Sequence, residues 1–269
     1  MSGAQDLAER AYFALCLVLG RLLRFSRYSK VRIVNEGGTC QVRKHRAFYA
    51  PLLVWMGGPL VRLLSTGVRV LPQRAWEERE RRLYRSLYRT SISITRDGTL
   101  VLPCLAGETL ANLLENGELD ESARKRAIEL AVLALAEFHR LKFTHGDAMA
   151  ENVLIELESG VAHWFDFETV HDSRRPMPWR QADDVRALLV TCLVRTAPGQ
   201  LVETLQLVLD AYADEGVTRL LLASFTSLLQ RPLTFHLAQA ALPFQRFQDI
   251  ARWLKERGGE PTPISRWPE

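Results

Sequence analysis

The chain has 269 residues, of which 47% are hydrophobic and 25% are charged, and this composition excludes a disordered or fibrous protein. At this length we expect one two-lobed domain, or two small ones, with a buried core. The net charge is only +4, but residues 21–46 contain eight arginines and lysines and a single acid, Glu36. This asymmetry indicates an anionic partner near that end, and no nucleic acid is expected.

The cysteines predict neither a zinc site nor a disulfide framework, because no two of them form a CxxC pair. They are Cys16, Cys40, Cys104 and Cys192. This pattern favours a reducing, cytoplasmic compartment. The N-terminus resembles no secretory leader, and no apolar run approaches the roughly 20 residues that span a bilayer.

Residues 4–27 have helical periodicity and predict an amphipathic helix with a basic face. The basic residues at every third position are Arg21, Arg24 and Arg27. Two interpretations are open: the helix packs on the body of the protein, or it lies on an acidic membrane surface.

The next segment predicts a β-hairpin. Residues 30–35 and 39–45 alternate in the manner of strands around a Glu-Gly-Gly turn. The apolar segment 48–67 is interrupted by glycine and proline, and it is interpreted as either a short helix or an insertion.

The middle of the chain combines helices with two short strands. Residues 72–89 begin with proline and have one apolar stripe, which predicts a helix. Strands are expected at 91–95 and 99–104, joined by an Asp-Gly turn. Helices are predicted at 107–115 and 120–141.

The most informative segment is 143–168, where polar residues interrupt apolar sequence. Asp147 is followed five residues later by Asn152, then by two strand-like segments around a Ser-Gly turn, and then by Asp166. The hairpin would bring the two ends of the segment together. Phosphoryl transfer needs a carboxylate near the acceptor hydroxyl and oxygen ligands for magnesium, so Asp147 is the candidate base and Asn152 and Asp166 are the candidate metal ligands.

After residue 168 we expect helices to the end of the chain, with breaks at Pro198 and Pro232. Strands come early and helices late, which predicts an α+β protein in two lobes.

The segment resembles the catalytic core of the protein-kinase-like superfamily, whose pattern is H-x-D-x-x-x-x-N followed by D-F-G. The matching residues are His145, Asp147, Asn152, Asp166 and Phe167. Gly146 replaces the usual arginine and Glu168 replaces the usual glycine. With these two replacements, the segment looks more like the atypical branch of the superfamily, which includes aminoglycoside and choline phosphotransferases and bacterial lipopolysaccharide kinases.

The resemblance implies a lysine on a strand and a glutamate on the following helix. Lys44 is the candidate lysine, and Glu80 fits the spacing better than Glu77 or Glu78. The neighbouring Gly37 and Gly38 form the only glycine turn ahead of this lysine, so a complete glycine-rich loop is missing. The turn either covers the nucleotide phosphates or merely links two strands.

Further family positions are implied around the cleft. The backbone of Pro103, Cys104 and Leu105 would form the hinge that meets adenine. His145 would support the catalytic loop, and Asp184 would brace it from a helix. Asp183 is an alternative for this last role, and either aspartate could instead cap the helix.

The resemblance implies a small β-rich lobe at 30–105 and a larger helical lobe at 106–269, preceded by the helix of residues 1–29. It also implies transfer of the γ-phosphate of ATP, with Mg2+, to a hydroxyl. Similarity to the lipopolysaccharide and Kdo kinases implies a sugar of a lipid-linked core saccharide as acceptor, at the cytoplasmic face of the inner membrane. The basic residues Arg174, Arg175 and Arg180 favour an anionic acceptor.

Three alternatives stay open at the level of sequence. The alternatives to a glycolipid kinase are an atypical Ser/Thr protein kinase, a small-molecule phosphotransferase of the aminoglycoside or choline type, and a pseudokinase scaffold without catalytic activity.

Overall fold

The structure is a computed structural model that describes residues 29–47, 67–225 and 242–256, together with four helical positions near the N-terminus. The described strands are β1 (Ser29–Glu36), β2 (Thr39–Arg46), β3 (Val68–Val70), β4 (Ser93–Ile94), β5 (Leu100–Pro103), β6 (Glu108–Thr109), β7 (Val153–Glu156), β8 (Val161–Trp164) and β9 (Thr169–His171). The described helices are α1 (Gln73–Tyr88), α2 (Leu110–Glu115), α3 (Glu121–Arg140), α4 (Met177–Arg195), α5 (Leu201–Tyr212), α6 (Glu215–Ser224) and α7 (Phe244–Glu256).

The N-terminal part is a four-stranded antiparallel sheet in the order β1-β2-β5-β4. The predicted hairpin is present, and its turn needs glycine because Gly37 and Gly38 have φ angles of 59° and 80°. Strand β2 is central in the sheet and pairs with β5, so that Lys44 lies opposite Leu100.

Helix α1 follows the predicted segment closely and packs one face into the core. Pro72 precedes its first turn, and Arg89 ends it in the left-handed conformation with φ 53°. Trp76, Glu80 and Leu83 are buried on this face at the three- and four-residue spacing of a helix.

The C-terminal part is larger and mainly helical. Helix α3 begins after Asp120, whose side chain accepts a hydrogen bond from the backbone N–H of Ala123. Helix α4 is buried along its second half and contacts α2, α3, α5 and α6, so it is the centre of this part. The predicted α+β class is confirmed, with strands concentrated early and helices late.

Two short strands depart from the expected secondary structure. Strand β9 follows residue 168, where helices were predicted, and it pairs with β3 so that Val68 lies opposite His171 and Val70 lies opposite Thr169. Strand β6 occupies the start of the segment predicted as helix at 107–115. Strands of two or three residues are stabilised by pairing with distant segments, so local periodicity does not reveal them.

The prediction that the cysteines form no disulfide was wrong for one pair. Cys40 and Cys104 are disulfide-bonded, with their Cα atoms 5.5 Å apart. Cys40 lies at the start of β2 and Cys104 follows β5, and the pairing of these strands brings the two residues together although 64 positions separate them. Cys192 is buried as a free thiol.

Several predictions fall on the rest of the chain. Within the expected helix 4–27, Leu7, Arg10, Ala11 and Ala14 are helical, and the Arg10 guanidinium lies 5.2 Å from the ring centroid of Phe244 on α7. The other positions of that helix, residues 48–66 and Pro232 lie outside the described residues. None of the helices in the described ranges is long and apolar enough to cross a membrane.

Candidate active site

The loop that carries Asp147 is held by a buried aspartate of α4. The Asp184 carboxylate accepts hydrogen bonds from the backbone N–H groups of His145 at 2.7 Å and Gly146 at 2.8 Å, and it also contacts His139 at 3.0 Å. Gly146 has a φ of 85°, and a Cβ atom there would lie 3.1 Å from Val170 N. The backbone therefore approaches β9 more closely than other residues allow.

The two candidates for the bracing aspartate have different partners. Asp184 contacts the loop, whereas Asp183 pairs with His171 at 3.0 Å and with Arg186 at 2.5 Å. Neither residue caps α4, because the helix begins at Met177, six residues before Asp183. The contact expected of Asp184 is thus present.

His145 is buried beneath the loop and acts as a neutral hydrogen-bonding group. Its Nδ1 accepts from the Asp147 backbone N–H at 3.2 Å, and its Nε2 lies 2.9 Å from the carbonyl oxygen of Phe165. An imidazole that accepts at Nδ1 must be uncharged there. Burial lowers the pKa of His145 to about 4, in agreement with this role.

Asp147 and Asn152 are joined directly. Asn152 Nδ2 donates to the Asp147 backbone oxygen at 2.8 Å and to its Oδ2 at 3.1 Å. Burial, together with the negative charges of Asp166 and Glu151, raises the pKa of the Asp147 carboxyl to about 7.

The hairpin of β7 and β8 brings the end of the loop beside Asp166, as predicted. Val153 lies opposite Trp164, and the N–H of Phe165 donates to the carbonyl oxygen of Asn152 at 3.0 Å. Asp166 itself has a φ of 66°, a left-handed conformation that is costly for a residue with a side chain. Such strain concentrates at functional sites.

Lys44 is surrounded by three carboxylates. Its Nζ lies 2.5 Å from Asp166 Oδ1, 3.0 Å from Glu168 Oε1 and 3.5 Å from Glu80 Oε1. Burial by itself lowers the pKa of the Lys44 ammonium, but the carboxylates of Asp166, Glu80 and Glu168 outweigh it and the pKa is raised. The lysine is therefore charged at neutral pH.

Glu80 is the glutamate of α1 that reaches Lys44. Its Oε1 also accepts from Trp76 Nε1 at 3.0 Å and from the backbone N–H of Phe167 at 3.2 Å. Glu77 instead receives a hydrogen bond from Gln73 on the same helix. Burial raises the pKa of Glu80, although the Lys44 charge opposes this shift.

The structure does not bring the glycine turn to Lys44. Gly38 lies six residues before Lys44 on an extended strand, which corresponds to about 20 Å. The strand end beside Lys44 is Ser29–Val31 of β1, because Lys44 pairs with Val31. Of the two interpretations of Gly37 and Gly38, the structure therefore favours a simple link between β1 and β2.

The proposed hinge follows β5 and leads to β6. Pro103 lies opposite Gln41 of β2, Cys104 is disulfide-bonded, and Leu105 packs against the core. These residues therefore connect the sheet with the helical part, at the opposite end of β2 from Lys44.

The oxygen donors at the site suit magnesium. The Asn152 amide nitrogen is directed to Asp147, so its Oδ1 is the atom left for a cation. Among the described residues no group of three or more His, Cys, Asp or Glu side chains could hold a metal ion. Magnesium does not need one, since it binds through one or two carboxylates together with substrate phosphates and water.

Two buried arginines at the site were not predicted as site residues from the sequence. Arg79 of α1 donates from Nη2 to the carbonyl oxygen of Thr144 at 2.5 Å, just before the loop that carries Asp147. Arg46 of β2 lies beside Lys44 over the ring of Trp76. A signal for Arg46 was available, because residues two apart on a strand share a face.

No family model matches the chain, and no curated protein matches it. Among solved structures, the crystal structure of Rad53 1–466 in complex with AMP-PNP is similar, with 14% identity and a TM-score of 0.35. That alignment covers 88% of this chain and 58% of the solved one. The interpretation of the site therefore rests on its own geometry.

Proposed function

We propose that this protein is an ATP-dependent phosphotransferase that transfers a phosphoryl group to an alcohol. The observation that carries the proposal is the contact of Lys44 with Glu80 and Asp166, residues that lie 36 and 122 positions away in the sequence. A buried lysine between two such carboxylates, beside the Asp147–Asn152 pair, is the arrangement that kinases use for phosphoryl transfer. The proposal includes the domain boundaries expected from the sequence, with an N-terminal segment at 1–29, a small lobe at 30–105 and a larger lobe at 106–269.

Each side chain has one role in the proposed reaction. Asp147 orients the acceptor hydroxyl and takes its proton. Lys44 binds the nucleotide phosphates, and Glu80 holds its position. Asn152 and Asp166 would hold magnesium, which would neutralise charge on the phosphate oxygens.

For the acceptor we propose an anionic molecule, and among these a sugar hydroxyl of a lipopolysaccharide core or related glycolipid. Three arginines support an anionic acceptor: Arg174 and Arg175 before α4, and Arg180 in its first turn. The Arg175 guanidinium stacks 5.2 Å from the ring centroid of Trp179, and Arg174 pairs with Asp172 at 2.5 Å. A glycolipid acceptor would bring the protein to a membrane surface, where the basic N-terminal segment, which the sequence predicts to be an amphipathic helix, would meet anionic lipid.

One labelling experiment separates the candidate functions. The protein is incubated with γ-labelled ATP and magnesium in the presence of extracted lipopolysaccharide, a generic protein substrate, choline, an aminoglycoside, or buffer alone. Label in the glycolipid supports the full proposal. Label in the protein or in a small molecule would support the phosphotransferase activity but show that the acceptor is not a glycolipid.

The control is Asp147→Asn, which should transfer label to any acceptor about 10² times more slowly or less. Nucleotide binding by the wild type without transfer to any acceptor would favour the pseudokinase scaffold. Absence of nucleotide binding would refute the proposal altogether.

A further inference from the structure

A second buried cation lies beside Lys44. Arg46 follows two residues later on β2, so both side chains project from the same face of the strand. Only 9% of the Arg46 side chain and 5% of the Lys44 side chain are exposed. Both cations lie over Trp76, with Arg46 Cζ 4.8 Å and Lys44 Nζ 5.1 Å from its ring centroid.

The donors of Arg46 are incompletely used. Nη1 donates to the carbonyl oxygen of Leu71 at 2.5 Å. Nη2 is 3.6 Å from Glu168 Oε2, which is longer than a hydrogen bond, and Nε has no hydrogen-bond partner among the described residues. Buried guanidinium donors without acceptors are unfavourable, and this arrangement indicates a site prepared for an additional anion.

One carboxylate bridges the two cations. Glu168 Oε1 lies 3.0 Å from Lys44 Nζ, while its Oε2 is the atom near Arg46. The Glu168 carbonyl oxygen accepts from the N–H of Leu71 at 2.9 Å, and the carbonyl of the same Leu71 accepts from Arg46. Leu71 thus holds the Arg46 guanidinium and the backbone of Glu168 next to each other.

We propose that Arg46 is a second phosphate-binding residue, and that Glu168 holds the anion position of Lys44 and Arg46 until the polyphosphate chain of a nucleotide displaces it. The inference rests on the proposed function, since it names a further residue of the same nucleotide site. A forked guanidinium matches the spacing of phosphate oxygens. Its two unused nitrogens are then satisfied by the ligand rather than by the protein.

The first test is Arg46→Gln, with ATP and adenosine binding measured by calorimetry or by competition. We expect ATP to bind about tenfold or more weakly and adenosine to bind within about twofold of the wild type, because only ATP carries the phosphates. If Arg46 serves only to hold Leu71, both ligands will be affected equally. That result would overturn the inference.

The second test removes the competing charge. Glu168→Gln keeps the shape of the side chain, and ATP binding is measured in EDTA so that no metal contributes. We expect several-fold tighter binding than in the wild type, and a smaller gain when Arg46→Gln is also present. Unchanged or weaker binding by the folded variant would contradict the proposed competition.

Two further variants serve as controls. Arg43→Gln lies on the same strand, but Arg43 is 41% exposed and pairs with Glu36, so its ATP affinity is expected to equal that of the wild type. Arg46→Lys retains the charge without the forked guanidinium, and it replaces Arg46→Gln as the test if that variant fails to fold. We expect its ATP affinity to lie between that of the wild type and that of a variant without the charge. An affinity of Arg46→Lys equal to that of the wild type would show that the fork is not used and would overturn the inference.

The two proposals fail in different ways. If wild-type protein binds no nucleotide, both are refuted. If it binds ATP through Lys44, as shown by loss of binding in Lys44→Met, but Arg46→Gln binds ATP normally, then only the inference about Arg46 is refuted.

Discussion

Asn152 donates two hydrogen bonds from one amide nitrogen to Asp147, to the backbone oxygen at 2.8 Å and to Oδ2 at 3.1 Å. The loop that carries Asp147 thereby holds its own carboxylate, and the other carboxylate oxygen, Oδ1, is left for the proposed acceptor. The candidate base and the candidate metal ligand are a single unit. A substitution of Asn152 should therefore alter the position of the Asp147 side chain, and the reverse.

Replacing Asp147 by asparagine is expected to reduce turnover by about 10² or more, because the amide cannot take the acceptor proton. The near-identical shape of asparagine should leave nucleotide affinity and melting temperature close to wild type. Steady-state kinetics with calorimetric ATP binding measures both. Asp210→Asn, at an exposed position of α5, is the matched control and should retain full activity. Turnover within tenfold of the wild type would exclude Asp147 as the base.

Asp166→Ala is expected to abolish phosphoryl transfer and the magnesium dependence of ATP binding. Without nucleotide the melting temperature should change little, because Lys44 retains Glu80 and Glu168 as partners. Calorimetry with and without magnesium, followed by thermal unfolding, provides the check. Magnesium-dependent ATP affinity in the variant would show that another residue binds the metal.

Glu80→Ala should lower the free energy of unfolding by about 2–3 kcal/mol and reduce activity. Trp76 Nε1 and the Phe167 N–H would lose their shared buried acceptor, and each unsatisfied donor is costly. Chemical denaturation measures the loss. Glu78→Ala on the exposed face of the same helix should stay within about 0.5 kcal/mol of the wild type. Equal effects of both substitutions would contradict this role of Glu80.

His145 should remain uncharged down to about pH 4, because burial lowers its pKa to about 4 from a value of about 6.5 in the unfolded chain. Between these values the unfolded state binds more protons, so the His145 contribution to stability is complete above about pH 6.5. It is lost as the pH falls toward 4, by up to about 3 kcal/mol. NMR titration of the His145 ring, assigned with His145→Gln, measures its pKa. Titration near pH 6.5 would disprove the prediction.

Reduction of the Cys40–Cys104 disulfide should destabilise the fold. A bridge between residues 64 positions apart restricts the unfolded chain by about 4 kcal/mol in the chain-entropy model. Denaturation with and without reductant measures the difference, and mass spectrometry verifies the bond. Reductant should have no effect on the double variant Cys40→Ser, Cys104→Ser. An identical effect of reductant on the variant and the wild type would rule out this bridge as the cause.

Local signals predicted much of the fold. The hairpin of β1 and β2, helix α1 and helix α3 were recognisable because turn residues, caps and apolar periodicity act within a few residues of each other. The loop and hairpin around Asp147 and Asp166 followed from the same local rules. Strand β9 was missed because three residues carry little periodicity and it forms only against β3.

The sequence by itself determined which chemical groups are present and the order in which they occur, from Lys44 to Asp166. Only the tertiary structure decided that Glu168 lies beside Lys44 and Arg46, and that Cys40 bonds to Cys104. These relationships depend on contacts between segments that are distant in the chain. Strand register and burial select such contacts, and neither is encoded in the spacing of neighbouring residues.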